Sequence, residues 1–149
     1  MASDDFVIED IKLDGFQIIR GQYFKRESIP YMTLWDTSCQ FSASAYTLLN
    51  CCENVQLLVN HEQRRIIVRP TNSNDDNAVS WLSTSGTAKT TKLECSPFTR
   101  RIFETWDWNP QYRYRTSGRI VRSKNSLMLL FDFSNPVAWN GMKMVRDNG

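Results

Sequence analysis

The sequence predicts an α+β domain in which an antiparallel sheet carries two helices on one face. The clearest element begins at Ser96, which can cap a helix, and Pro97 then fixes the backbone of its first turn. The most apolar run of the chain, residues 127–133, is typical of a strand at the centre of a sheet. Between them, residues 112–115 alternate aromatic and basic side chains, as a strand with two different faces does. Helix, strand, turn and strand therefore follow one another.

The first half of the chain is predicted to contain a similar set of elements, because its apolar residues recur at the spacing of strands and of helices. Gly15 stands at the expected turn of the first strand pair, and Ser42 can cap the helix. The predicted elements are a strand pair at residues 6–11 and 16–20, a strand at 31–35, a helix capped by Ser42, and a hairpin of residues 55–59 with 65–69.

Polar stretches connect these elements within a single domain of residues 1–149. Residues 70–77 and 83–89 predict loops because they are rich in small polar side chains. Residues 134–139 predict one turn of helix, and residues 140–149 a loosely held tail.

The order extended segment, cysteine, capped helix and hairpin occurs twice, over residues 31–70 and 89–133. Cys39 and Cys95 each stand just before a predicted helix. Two pseudo-repeated βαββ units would place both helices on one side of a shared curved sheet. The alternative is that a common arrangement recurs by chance, and the sequence leaves both open.

Charge and cysteine content limit the function classes. With 18 basic and 16 acidic residues the net charge is +2, so attraction to nucleic acid requires local clustering of cations. The four cysteines include no C-x-x-C pair, and the first residues lack the layout of a signal peptide, which predicts reduced thiols and a cytoplasmic protein. No apolar run approaches the roughly 20 residues of a membrane span. The cysteine spacing fits no metal-ligand pattern and no cofactor motif occurs, so neither group is predicted.

Basic residues concentrate in the two predicted hairpins, and they are the candidate nucleic-acid-binding set. If both helices cover one sheet face, the other face is free to bind a partner. Arginine makes forked contacts with phosphate and base edges, and aromatic rings can stack on bases. The alternative is that these residues form only the solvated side of a sheet. The set consists of Arg65, Arg69, Arg113, Arg115, Arg119, Arg122 and Lys124.

Enzyme chemistry has little support in the sequence. The single histidine, His61, is expected in a hairpin tip, where a histidine is usually only solvated. No phosphate-binding glycine loop, nucleophile elbow or zinc-protease motif occurs. A small enzyme with an unrecognised site remains a hypothesis.

Several segments between about residues 31 and 139 carry a resemblance to a known family. They are residues 41–42, 55–57, 66–70, 93–95, 98–99, 112–115, 118–121 and 128–133. In these segments the chain resembles a poorly characterised family of small bacterial proteins associated with integrative mobile elements, whose members are sometimes labelled integrase. The resemblance implies a DNA-associated accessory protein of a mobile element and brings no site residues.

The integrase label can be tested against the residues. His61 and Arg64 have the H-x-x-R spacing of tyrosine recombinases, and Tyr112 and Tyr114 lie downstream. The histidine falls in a predicted hairpin and the tyrosines in a strand, which is the wrong context for that chemistry. Recombinase catalysis by this chain is therefore not predicted.

Two main hypotheses follow. The first is a non-catalytic DNA-binding or recombination accessory protein that uses the arginines and aromatic residues of a sheet face. The second is a protein-interaction subunit, or a homodimer, that binds no nucleic acid. The predicted partner is accordingly DNA, a recombinase or a second copy of the chain.

Overall fold

A computed structural model describes residues 8–19, 29–83 and 90–145 of the chain. Along the chain the elements are β1 (Tyr31–Leu34), β2 (Ser38–Phe41), α1 (Ala43–Leu48), β3 (Asn54–Asn60), β4 (Arg65–Thr71), β5 (Val79–Ser80), β6 (Leu93–Glu94), α2 (Ser96–Thr105), β7 (Arg113–Ser123), β8 (Ser126–Asp132), β9 (Val137–Asn140) and β10 (Lys143–Val145).

The predicted α+β class is wrong. Over the described residues the protein is mostly antiparallel sheet, with 43% strand and 13% helix, and the sheet curls into a half-barrel. Its strand order is β5-β3-β4-β8-β7-β1-β2-β6, with β9 beside β7 and β10 beside β9. The two helices have only 6 and 10 residues, so they supply a few core side chains and do not form a layer of their own.

The predicted centre of the sheet is confirmed. β8 lies between β4 and β7, and its residues Met128, Leu129, Leu130 and Phe131 are all buried. A strand that is buried on both faces has a nearly continuous run of apolar residues, which is why the sequence predicted β8 as the central strand. The predicted hairpin of residues 55–59 and 65–69 is also present, as β3 and β4.

β7 joins two groups of strands within the sheet. Residues 114–117 of β7 pair with β1, whereas residues 118–123 pair with β8. The change of partner falls at Gly118, where a Cβ atom would lie 2.6 Å from Cε1 of Phe131. The absence of a side chain lets the buried Phe131 ring lie directly against the β7 backbone.

The core lies on the concave side of this sheet. Ile66 and Val68 of β4 and Leu129 and Phe131 of β8 face it and have no exposed surface. The helices add Ala45 from α1 and Ile102 and Phe103 from α2 to the same cluster, which also takes in buried side chains of β1, β2, β3 and β7.

Three further expectations differ from the structure. The expected helical turn at residues 134–139 is wrong, because Val137–Asn140 forms β9. Within the expected loose tail of residues 140–149, Lys143–Val145 forms β10 and pairs with β9, while residues 146–149 lie outside the described residues. Residues 8–19 contain a turn at Asp14 and Gly15 but no strand, and the rest of the strand pair expected at 6–11 and 16–20 lies outside the description.

The order strand, helix and hairpin does occur twice, as β2–α1–β3–β4 and as β6–α2–β7–β8. β2 pairs with β6, and β4 pairs with β8. That residues 31–70 and 89–133 arose by duplication stays a prediction. Of the loop expected at residues 83–89, only Ser83 lies within the described residues. No helix within residues 8–19, 29–83 and 90–145 is long and apolar enough to cross a membrane.

Candidate functional site

The sheet has a second face, directed away from the core, which we call the outer face. Strand alternation puts Arg65, Ile67 and Arg69 of β4 on it, since Ile66 and Val68 face the core. On β8, Leu130 is paired with Ile67 and belongs to the same face. Leu130 is also paired with Arg119, which extends the outer face onto β7.

The outer face brings together arginines from both hairpins. Arg65 and Arg69 lie on β4, and Arg113, Arg115 and Arg119 occupy alternate positions of β7. β4 and β7 flank β8, so the two sets are two strand spacings apart, about 10 Å. Five of the seven predicted residues therefore share one face.

Two adjoining cavities lie on the hairpin part of this face, and we call them together the basic groove. The larger, about 580 Å³, is lined by Arg65, Arg119 and Arg122. The smaller, about 480 Å³, is lined by Arg69 and Lys124. The cavities share Ser123 and Met128 in their linings. Among the described residues, no carboxylate lines either cavity, so the lining itself carries a net positive charge, although Asp132 beside the groove pairs with Arg65.

Arg122 and Lys124 reach the groove from the end of the β7–β8 hairpin. Arg122 lines the larger cavity although alternation starts its side chain on the opposite side of β7 from Arg119. Lys124 occupies the hairpin turn with a positive φ of 49° and is exposed. Both cations are therefore held at the rim of the groove by the turn.

The floor of the larger cavity is apolar. Its lining includes Leu58, Ile67, Val121, Met128 and Leu130, one or two from each of four neighbouring strands. The groove thus combines a hydrocarbon floor with cationic walls, which suits a ligand with both apolar and anionic parts.

Arg113 and Arg115 lie outside the basic groove and already have partners. The Arg115 Nε donates to Thr33 Oγ1 at 2.9 Å, and its guanidinium lies 5.9 Å from the centre of the Tyr31 ring. Arg113 donates to the Gly141 carbonyl and lies 5.2 Å from the centre of the Trp139 ring. These two arginines tie β7 to β1 and to the β9–β10 hairpin.

The aromatic part of the predicted site is placed differently from the expectation. Tyr114 faces the core, where it stacks on Trp108 with ring centres 4.1 Å apart and its hydroxyl accepts from the Asn109 amide at 3.0 Å. The aromatic rings beside outer-face arginines are Tyr31 and Trp139. Neither ring is predicted beside these arginines from the sequence, because the pairing of both segments with β7 depends on long-range register.

One carboxylate of the outer face, Asp132, lies beside the groove. Its Oδ2 is 3.6 Å from Nε of Arg65, and its Oδ1 accepts from the Ser134 amide at 3.0 Å. The Ser134 hydrogen bonds, and after them the charges of Arg65 and Arg119, lower the pKa of Asp132. An exposed ion pair of this kind contributes little to stability, so Arg65 can exchange Asp132 for another anion.

The site offers no ligand set for a metal. Within the described residues, no three His, Cys, Asp or Glu side chains lie close enough to hold an ion. Asp75, which lies in the loop between β4 and β5, accepts from Thr71 Oγ1 at 2.8 Å, from Gln56 Nε2 at 3.0 Å and from the Asn77 amide at 3.0 Å. These bonds fix the loop to β3 and β4, and Gln56 in turn accepts from Arg69 Nε at 2.7 Å.

The H-x-x-R spacing does not build a recombinase site. His61 and Arg64 lie in the turn between β3 and β4, and the His61 carbonyl accepts from Trp106 Nε1 at 2.8 Å. Tyr114 is buried in the core, where its hydroxyl cannot meet a phosphate. Comparisons of the chain with protein-family models, curated proteins and solved structures return no match. The resemblance to a mobile-element family therefore stays an expectation.

Proposed function

We propose that this protein binds DNA through the basic groove and acts as a non-catalytic accessory protein in the recombination of a bacterial mobile element. The observation that supports the proposal is the convergence of five cationic side chains from two hairpins on adjoining cavities. They are Arg65, Arg69, Arg119, Arg122 and Lys124. The mobile-element context rests on the resemblance alone.

The groove dimensions suit a nucleic-acid backbone. The distance from β4 to β7 is about 10 Å, which corresponds to about three phosphates of one strand at 3.4 Å of helix rise each. Arg119 and Arg122 are exposed, and no hydrogen bond or ion pair within the described residues occupies their guanidinium groups. They can therefore make charge-assisted hydrogen bonds to phosphate without first breaking a contact.

Salt dependence is the expected signature of this binding. If three to five phosphates are neutralised, the logarithm of the binding constant should fall with the logarithm of salt concentration with a slope of about −3 to −4.5. Raising salt from about 50 to about 200 mM would then weaken binding by a factor of about 40 to 500. Fluorescence anisotropy with a labelled DNA duplex measures this slope.

A matched pair of variants tests the location of the site. Arg119→Gln with Arg122→Gln removes two groove charges, and Arg100→Gln with Arg101→Gln removes two exposed charges from α2. We expect the first variant to bind more weakly and to reduce the salt slope by about 2, and the second to bind as wild type. Equal losses in both variants, or no binding by the wild type, would contradict the proposal.

A second candidate function is self-association through the same groove, and one observation favours it specifically. Residues 8–19 carry six exposed large apolar side chains, with Ile18 93% exposed. The segment also contains three carboxylates against one lysine, so it complements the apolar floor and cationic walls of the groove in a second copy. These side chains are Ile8, Ile11, Leu13, Phe16, Ile18 and Ile19.

Molecular mass in solution separates the two candidates. Ile11→Ser with Leu13→Ser removes two exposed apolar side chains from the segment. Self-association predicts a dimer for the wild type in light scattering after size exclusion, and a monomer for this variant. A wild type that is monomeric at all accessible concentrations would contradict self-association and leave the DNA proposal intact.

A further inference from the structure

Two of the four cysteines lie in contact, far from the basic groove. The Sγ atoms of Cys39 and Cys95 are 3.6 Å apart. Cys39 belongs to β2, and Cys95 follows β6 and immediately precedes α2. β2 and β6 pair Ser38 with Glu94 and Cys39 with Leu93. The Cys95 amide also donates to the Thr37 carbonyl at 3.0 Å. These backbone contacts hold the two thiols beside each other.

The two thiols have different surroundings. Cys39 is buried with 1% of its surface exposed, whereas Cys95 is half-buried. Contact with Cys95, followed by burial, raises the pKa of the Cys39 thiol. The adjacent Cys39 thiol lowers the pKa of Cys95, and hydrogen bonds with the Cys39 backbone and the Thr99 hydroxyl act in the same direction. Partial burial and the Glu94 carboxylate oppose this shift without reversing it. The thiolate therefore forms on the cysteine that solvent can reach, next to a protonated and buried partner.

We propose that Cys39 and Cys95 form a reversible dithiol that hydrogen peroxide converts into a disulfide. The Cys95 thiolate attacks one oxygen of peroxide, the O–O bond breaks, and a sulfenic acid forms while hydroxide takes up a proton and leaves as water. The Cys39 thiol then loses its proton, and its sulfur attacks the Cys95 sulfur. The S–O bond breaks, and the departing hydroxide takes that proton and leaves as a second water. Two thiols are oxidised by two electrons, and one peroxide is reduced to two waters.

The geometry favours this intramolecular step over further oxidation. The sulfur atoms must approach from 3.6 Å to about 2.05 Å, a movement that side-chain rotation and a small backbone shift can supply. The remaining cysteines, Cys51 and Cys52, lie beyond α1 at the start of the β3 segment and are adjacent in the chain, which disfavours a bond between them. The Cys39–Cys95 pair is accordingly the expected site of disulfide formation.

The disulfide would tie β2 to the start of α2 and close a loop between residues 56 positions apart. Because a cross-link of this length limits the unfolded chain, oxidation should raise the melting temperature by about 10 °C. The redox state of the pair would thus control how firmly α2 is attached to the sheet.

The experiment uses the full chain with Cys51→Ser and Cys52→Ser, in which Cys39 and Cys95 are the only thiols. The protein is treated with hydrogen peroxide, alkylated with N-ethylmaleimide and weighed intact by mass spectrometry. We expect a monomer that has lost two hydrogens and takes up no alkylating reagent, and that regains two reactive thiols with dithiothreitol. With Cys39→Ser added, Cys95 should instead stop at a sulfenic acid that dimedone traps.

The opposite outcomes would overturn the proposal. One such outcome is that both thiols remain alkylatable at peroxide concentrations that oxidise free cysteine. Another is a disulfide between two chains. A third is sulfinic acid on Cys95 without an internal disulfide. In the wild type, chymotryptic digestion separates Cys39 from Cys51 and Cys52 by cleavage after Phe41 or Tyr46. A cross-linked peptide that contains Cys51 or Cys52 in place of Cys39 would also overturn it.

Discussion

Gly118→Ala tests the packing of the Phe131 ring against the β7 backbone. A Cβ atom at this position would lie 2.6, 2.8 and 3.0 Å from three atoms of the Phe131 ring. The ring cannot move away freely, because it has no exposed surface and its centre is 5.8 Å from that of Phe41. Overpacking of a closed core costs about 1 to 3 kcal/mol. We take about 2 kcal/mol, which should lower the melting temperature of a chain of this size by roughly 4 to 8 °C.

Chemical denaturation followed by tryptophan fluorescence measures the free energy of unfolding. The control is Ser117→Ala, an exposed neighbour in the same strand, which should stay within about 0.5 kcal/mol of wild type. Phe131→Leu in the Gly118→Ala background should recover part of the loss, with a coupling energy of about 1 kcal/mol in a double-mutant cycle. A Gly118→Ala variant as stable as wild type would refute the claim that the Phe131 ring lies directly against the β7 backbone at this position.

Leu129→Asp should prevent folding because it places a charge at a fully buried site of β8, whereas Leu127→Asp, at a site 41% exposed, should leave a cooperative melt. A soluble, cooperatively melting Leu129→Asp variant would contradict the core assignment. Hydrogen bonds lower the pKa of Asp75, and the bond from the Asn77 amide is the largest cause. The Asp75 carboxylate therefore contributes fully to stability above the ordinary aspartate pKa of about 3.9. This contribution is lost as the pH falls through the lower pKa of the folded state. Asp75→Asn should therefore flatten the loss of stability below about pH 4 in acid titrations, and an unchanged profile would contradict this role. Arg113→Ala should lower the melting temperature because the contacts with Trp139 and Gly141 are lost. The salt slope of DNA binding should stay unchanged. A changed slope would place Arg113 in the DNA interface.

The sequence predicted those elements whose signals are local. The run from Leu127 to Phe133 identified the central strand because burial on both faces demands apolar residues throughout. Ser96 and Pro97 marked the start of α2 through its first turn, although the Ser96 residue itself is the first helical residue and Cys95 precedes it as the cap. The fold class was wrong because these helices are short and the sheet continues into strands with little pattern of their own.

Short strands held by distant partners could not be predicted. β2 and β6 have four and two residues, and their pairing joins Cys39 to Leu93 across more than fifty positions. β9 follows Pro136, which favours an extended chain, yet Ser134 and Asn135 beside it resemble the start of a helix. Tertiary pairing decided between these local tendencies.

The candidate site was predictable strand by strand but not as a whole. Alternation alone puts Arg65 with Arg69, and Arg113 with Arg115 and Arg119. Their presence on one common face depends on the registers of β4 and β7 with β8, which no local pattern specifies. The same registers separate Arg113 and Arg115, which hold neighbouring strands, from the cations of the groove.

Mapping of amide chemical shifts during a DNA titration tests the proposed groove most directly. We predict that the largest changes fall on residues 65–69 of β4 and 119–124 of β7 and its turn, and that α2 is unaffected. Changes confined to α2 or to residues 8–19, or an unchanged spectrum at low salt with excess duplex, would contradict DNA binding at the basic groove.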